Sequence, residues 1–125
     1  MKELFVDHEI AKELKEKGFD EPCFTTWVKT EKKDYKIFLW RSGSIEHLAK
    51  NSMIFPDIVA PLYQQVILWL LYKHNILVTV TSISQESWQW HITKPKDPLG
   101  LHYGEDFASY EEALEDGIKE ALKLI

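Results

Sequence analysis

The chain carries one cysteine, Cys23, in 125 residues, so no internal disulfide can form. At this length none is needed, because a single hydrophobic core can be buried without a covalent or metal staple. A basic excess is also missing: 15 Lys and Arg stand against 20 Asp and Glu, for a formal net charge of -5. Domains whose task is to neutralise phosphates carry the opposite balance, which argues against nucleic acid as a partner. No apolar run reaches the roughly 20 residues that a spanning helix requires. The most apolar stretch, residues 58–72, is interrupted by Pro61, Gln64 and Gln65, so a buried helix is expected there and no membrane contact. Residues 1–8 hold no basic segment followed by a long apolar run, and with the lone cysteine this sets a cytoplasmic location as the expectation. The patterns HExxH, GxSxG and CxxC and the Gly-rich phosphate loop are all absent. The expectation is therefore no cofactor, no metal and no catalytic residue that a motif would assign.

What is present is the composition of an ordinary folded domain, 45% apolar and 28% charged, and one α+β domain over residues 1–125 is expected. Asp7 can cap a helix in which Ile10, Ala11 and Leu14 share a face, with Gly18 placed to end it. Residues 23–28 and 35–41 are rich in aromatic and β-branched side chains and flank a charged turn at 30–34, which predicts a hairpin. A short polar helix over 44–50 follows before Pro56. Pro61 opens a stronger helix that runs to about His74, where Asn75 can take the left-handed conformation. Residues 76–82 then alternate Ile76, Val78 and Val80 against Leu77, Thr79 and Thr81. Beyond Gln85, Trp88, Trp90 and Ile92 alternate against Gln89, His91 and Thr93, predicting a second hairpin. Ser109 and Glu112 form a capping box, and Tyr110, Ala113, Leu114, Gly117, Ile118, Ala121, Leu122 and Ile125 recur at helical spacing. The order α-β-β-α-β-β-α fits an antiparallel sheet of about four strands, two hairpins, with helices packed on one face.

Three segments, residues 17–24 (KGFDEPCF), 60–76 (APLYQQVILWLLYKHNI) and 109–125 (SYEEALEDGIKEALKLI), resemble a family of small uncharacterised proteins common in gut Bacteroidetes genomes and their prophages. The resemblance covers about a third of the chain and implies an intracellular bacterial or phage origin. It brings no activity and no catalytic residues. Relatives in that family tend to carry charge after the paired glutamines and the tryptophan, where this chain has Leu68, Leu71 and Tyr72.

Those positions are also unusual on physical grounds. At about 100° per residue, Leu62, Tyr63, Val66, Ile67, Trp69 and Leu70 fall in one arc, and Gln64, Gln65, Leu68, Leu71 and Tyr72 in the opposite one. Either a loop or the first helix covers the second arc, or it is a protein interface, for which another copy of the chain is the simplest partner. Trp88 and Trp90 are expected in the core. The first hairpin carries apolar bulk on both faces, so Trp27, Phe38 and Trp40 could form an aromatic surface that packs on a partner or stacks bases. Residues 94–108, with Pro95, Pro98, Gly100 and Gly104, read as a long loop in which His102, Glu105 and Asp106 form a conceivable site that matches no metal signature. His91 is the other histidine around which hydrolytic chemistry could be built. Cys23 reads as a small buried hydrophobe. Three functions remain at this level: a non-catalytic binding or accessory module with a homodimer or an unidentified protein partner, a single-stranded nucleic-acid binder using strand aromatics, and a small hydrolase-like enzyme using His91 or the His102 segment.

Overall fold

Capping chemistry sets the helix ends. In the computed structural model, which describes residues 4–29, 35–39, 50–53 and 57–125, Asp7 Oδ1 accepts from the Ile10 amide at 2.8 Å and starts α1 (His8–Glu16). Side chains are described for these residues apart from 37–39, 53 and 97–101. Gly18, at φ 89°, ends the helix: its amide donates to Lys15 O at 3.1 Å and that of Phe19 to Leu14 O at 2.9 Å. This pair of bonds is a Schellman closure, which needs the left-handed backbone that glycine adopts without a Cβ clash. Ile10, Ala11 and Leu14 are buried, as their spacing predicts.

The described chain divides into two compact units, Met1–Tyr63 and Gln64–Ile125, each with a three-stranded antiparallel sheet. In the first, β1 (Thr25–Lys29) lies between β2 (Tyr35–Leu39) and β3 (Ile58–Val59), and α1 packs against β3. Side chains do much of the joining here. Trp27 Nε1 donates to Val6 O at 3.0 Å, and the Val6 amide donates to Pro61 O at 3.0 Å. Asn51, buried in a short 3₁₀ turn (Asn51–Met53), donates to Phe19 O at 2.7 Å and accepts from the Val59 amide at 3.0 Å. One side chain thereby satisfies two buried backbone groups that no strand partner reaches. The charged turn at 30–34 and the polar helix expected over 44–50 lie outside the described residues, apart from Lys50.

In the second unit, α2 (Tyr63–His74) ends at Asn75, whose φ of 56° and amide bond to Leu71 O at 3.1 Å form a left-handed cap. The helix begins two residues beyond Pro61. Pro61 and Leu62 are instead engaged by the chain's start, through the Val6 bond and a bridge between Phe5 and Leu62. The second sheet has the order β4 (Leu77–Ser84), β5 (Ser87–Lys94), β6 (Asp97–Phe107), and α3 (Tyr110–Leu122) packs on all three strands. Ser109 Oγ accepts from the Glu112 amide at 3.2 Å, while Glu112 Oε2 reaches back to the Ala108 amide at 3.3 Å, one residue earlier than a standard capping box.

Among the described residues, the expected single sheet of about four strands is therefore corrected to two sheets of three, within an α+β fold that has three α-helices there. β3 is only two residues long, too short for alternation to show. β6 occupies the segment expected to be a loop. Prolines and glycines normally mark loops, but an edge strand tolerates them because one side of its backbone needs no partner. Gly104 has a specific cause: a Cβ there would lie 2.5 Å from Trp90 Cε2 and 2.8 Å from Cζ2. A Cβ at Gly117 of α3 would likewise meet Trp90 Cβ at 3.0 Å. The Trp90 side chain, 6% exposed, thus packs against two glycines and donates from Nε1 to Asp116 Oδ2 at 2.8 Å. Trp88 meets the ring of Tyr110 edge-on at 5.7 Å, so both tryptophans face α3 as their alternation predicts.

Gly104→Ala is expected to destabilise the protein by about 1–3 kcal/mol in urea unfolding, since the obstructing atoms belong to a buried ring rather than to a flexible chain end. Trp90→Phe, which removes the bond to Asp116, should cost at least about 1 kcal/mol.

A second expectation concerns His8, the first residue of α1. Its ring stacks on Tyr35 at 3.5 Å and meets Trp27 edge-on at 6.3 Å, and its Nε2 is buried with no hydrogen-bond partner. Burial, and then the positive charge of Lys12, hold its pKa below the ordinary 6.5, against the opposing pull of Asp7 and Glu9. The unfolded chain therefore binds this proton more readily than the folded one, so stability is full above pH 6.5 and falls as pH drops below it. His8→Phe should flatten that part of the melting temperature against pH curve.

Candidate functional site

A helix that packs on one side presents polar residues on the other. α2 departs from this. Val66, Trp69 and Leu70 are buried, with the Trp69 ring 4.6 Å from that of His74 in an edge contact. On the opposite arc Leu68 is 43% and Tyr72 79% exposed, Leu71 and Gln65 are half-buried and Gln64 is exposed. Of the interface candidates read from the sequence, Leu68 and Tyr72 are thus the exposed apolar ones. The helix carries no acidic residue, and its basic residues, Lys73 and His74, are confined to the last turn. The outer arc is therefore apolar apart from the amide groups of Gln64 and Gln65 near its start.

The aromatic surface expected on the first hairpin is corrected at Trp27. That side chain is 7% exposed and bonded to the Val6 carbonyl, because the N-terminal segment lies across it. Trp40 lies outside the described residues, and so does the side chain of Phe38. Among the described residues, the exposed aromatics of this unit include Phe24, at 46%, and Tyr35, at 45%.

The residues expected in a loop, His102, Glu105 and Asp106, stand on β6 instead, and the reason is visible in the register. Between Trp88↔Phe107 and Trp90↔Gly104, β5 advances two residues while β6 advances three, so β6 carries one extra residue. Asp106 absorbs it at φ 67°, a conformation that Asp tolerates better than most side chains, and accepts from Ser87 Oγ at 3.3 Å. Glu105 accepts from Gln89 Nε2 at 3.1 Å. His102 pairs with Ile92 and Tyr103 with His91, which puts the two histidines on opposite faces of the sheet. His91 Nε2 is 3.3 Å from Thr81 Oγ1. Among the described residues, no group of three or more His, Cys, Asp or Glu is arranged to hold a metal ion.

An open depression of about 290 Å³ between β6 and α3 is lined by Phe107, Glu112, Glu115, Asp116 and Lys119. Its charges serve the fold: Glu112 caps α3, Glu115 pairs with Lys119 at 3.3 Å, and Asp116 holds Trp90. Cys23 is buried and its thiol donates to Glu21 O at 3.3 Å. Burial first, and then the charge of Glu21, push its pKa up to about 12, so it is a thiol and not a thiolate at neutral pH.

With this geometry established, comparison with protein families, with curated proteins and with solved structures finds no match. Among the described residues, no helix is long and apolar enough to cross a membrane.

Cys23 should accordingly resist a thiol reagent such as 5,5′-dithiobis(2-nitrobenzoate) at pH 8 in the folded protein and react at once in denaturant. Rapid reaction under native conditions would show that the thiol is accessible and ionised.

Proposed function

We propose that this chain is a non-catalytic binding or accessory module that acts through protein–protein contacts, with the outer face of α2 as the contact surface and a second copy as its simplest partner. The observation that carries the reading is the exposure of Leu68 and Tyr72 on one helix face. Apolar surface gains about 25 cal/mol per Å² when removed from water, and contiguous apolar patches mark association sites. Tyr72 suits such a surface because its ring can be buried while its hydroxyl stays at the wet rim. The absence of acidic residues in α2 supports self-association in particular. Two copies each with a net charge of -5 repel, and a face free of carboxylates is where they can approach at least cost.

The biological setting in this reading is the bacterial or prophage cytoplasm, supported by the three family-like segments and by the single cysteine. The non-catalytic character is supported by how the polar side chains are employed: Asp116, Glu112, Glu105, Asp106 and Asn51 all bond to groups of the protein itself.

Light scattering after size exclusion tests the reading on the wild type beside a Leu68→Asp, Leu71→Asp variant. The variant is expected to keep its far-ultraviolet circular dichroism and to fall to half the wild-type mass. A folded variant with unchanged mass would remove α2 from the association. A turnover reaction abolished by one substitution would overturn the non-catalytic assignment.

A further inference from the structure

The two edges of the second sheet are built differently. β6 is broken twice: once by the extra residue at Asp106, and again between Ile92↔His102 and Lys94↔Asp97, where β5 advances two residues and β6 five. It also carries Pro98, Asp97, Glu105 and Asp106. Kinks, proline and like charges are the means by which an edge strand avoids pairing with a neighbour. β4 has none of these over most of its length. Its eight residues, LVTVTSIS, include no charge and no proline, and its register with β5 is regular from Leu77 to Ser82, with a single bulge at Ile83. Thr79, Thr81, Ser82, Ile83 and Ser84 are exposed, and among the described residues β4 has no strand partner other than β5.

We propose that β4 is a second self-association site, whose outer edge pairs antiparallel with β4 of another copy to join the two three-stranded sheets into one. The proposal rests on reading the chain as a self-associating module, but it uses a different surface. A second copy is the partner favoured for two reasons. An uncharged strand meets no repulsion from itself, in a chain whose net charge of -5 disfavours contact elsewhere. An antiparallel strand pair is also generated by a two-fold axis, so that one sequence serves both sides.

The axis stands perpendicular to the sheet and keeps both copies of α3 on the same face. Only registers that oppose residues of like face hold Val78 and Val80 on the α3 side in both copies. Centring on Val80 does so and uses the regular run before the bulge. Thr79 of one copy then lies opposite Thr81 of the other on the open face, a pairing that threonines favour.

The test places charge at those two positions, which are exposed, where substitutions usually change stability little. A Thr79→Lys, Thr81→Lys variant and a Thr79→Glu, Thr81→Glu variant should each keep the wild-type circular dichroism and show half its mass by light scattering. An equal mixture of the two should return to the wild-type mass, because unlike charges then face each other across the axis; general destabilisation would not be rescued in this way. Wild-type mass in both variants, or a monomeric wild type, would overturn the proposal. On the unmodified chain, amide exchange over residues 77–83 should slow as protein concentration rises, and exchange independent of concentration would count equally against it. The Leu68→Asp, Leu71→Asp variant reports on α2 separately, so loss of one contact is distinguishable from loss of the other.

Discussion

The indole of Trp90 is the constraint around which the second unit is arranged. It fills the space that a side chain at Gly104 would need, presses against Gly117 of α3, and anchors its one polar atom on Asp116 of the same helix. Strand, helix and edge are thereby fixed to a single ring. An unpaired buried N–H would cost more than the bond itself returns, so Asp116 is bound to this role, and the acidic groove beside it is a by-product of seating the helix. The glycines lose backbone freedom on folding and contribute no side-chain contact. Their presence on two different elements against one ring shows that close approach outweighs that entropy here.

The first unit reaches the same end by other means. Its sheet is small, and β3 contributes just two residues, so backbone pairing leaves buried groups over. Asn51 and Trp27 take them up, tying the turn after α1, the strand β3 and the N-terminal segment together through side-chain bonds. A buried polar atom without such a bond is an exception, and His8 Nε2 is one. The functional reading follows from this economy. Several polar side chains bond within the chain, while apolar groups stand exposed: Leu68 and Tyr72 on α2, with Phe24 and Tyr103 elsewhere.

Much of this was legible before any coordinates. Helix ends depend on one or two residues with specific chemistry, and Asp7, Gly18, Asn75 and Ser109 all act as their types imply. The phase of Trp88, Trp90 and Ile92 was readable because a half-buried strand alternates with a period of exactly two residues. Strand β6 was not, since its prolines and glycines carry the local grammar of a loop, while the reason for Gly104 lies across the sheet on Trp90. Trp27 misled for a related cause: its hairpin has apolar groups on both faces, and which face the N-terminal segment covers is decided by contacts more than twenty residues away, as in its bond to Val6. The exposed arc of α2 was visible as a pattern, but whether Leu68 meets solvent depends on what else packs nearby, and no local spacing encodes that.

The broken backbone of β6 limits more than local geometry. Sheets grow by adding strands to whatever edge offers an uninterrupted row of donors and acceptors, and a sheet with two such edges can extend without end, as amyloid does. One regular edge and one interrupted edge make this sheet a terminator: after a single addition at β4, the surfaces left facing outward are two copies of the kinked, acidic β6. The extra residue at Asp106 thus acts as a stop codon for growth of this sheet, written in backbone geometry.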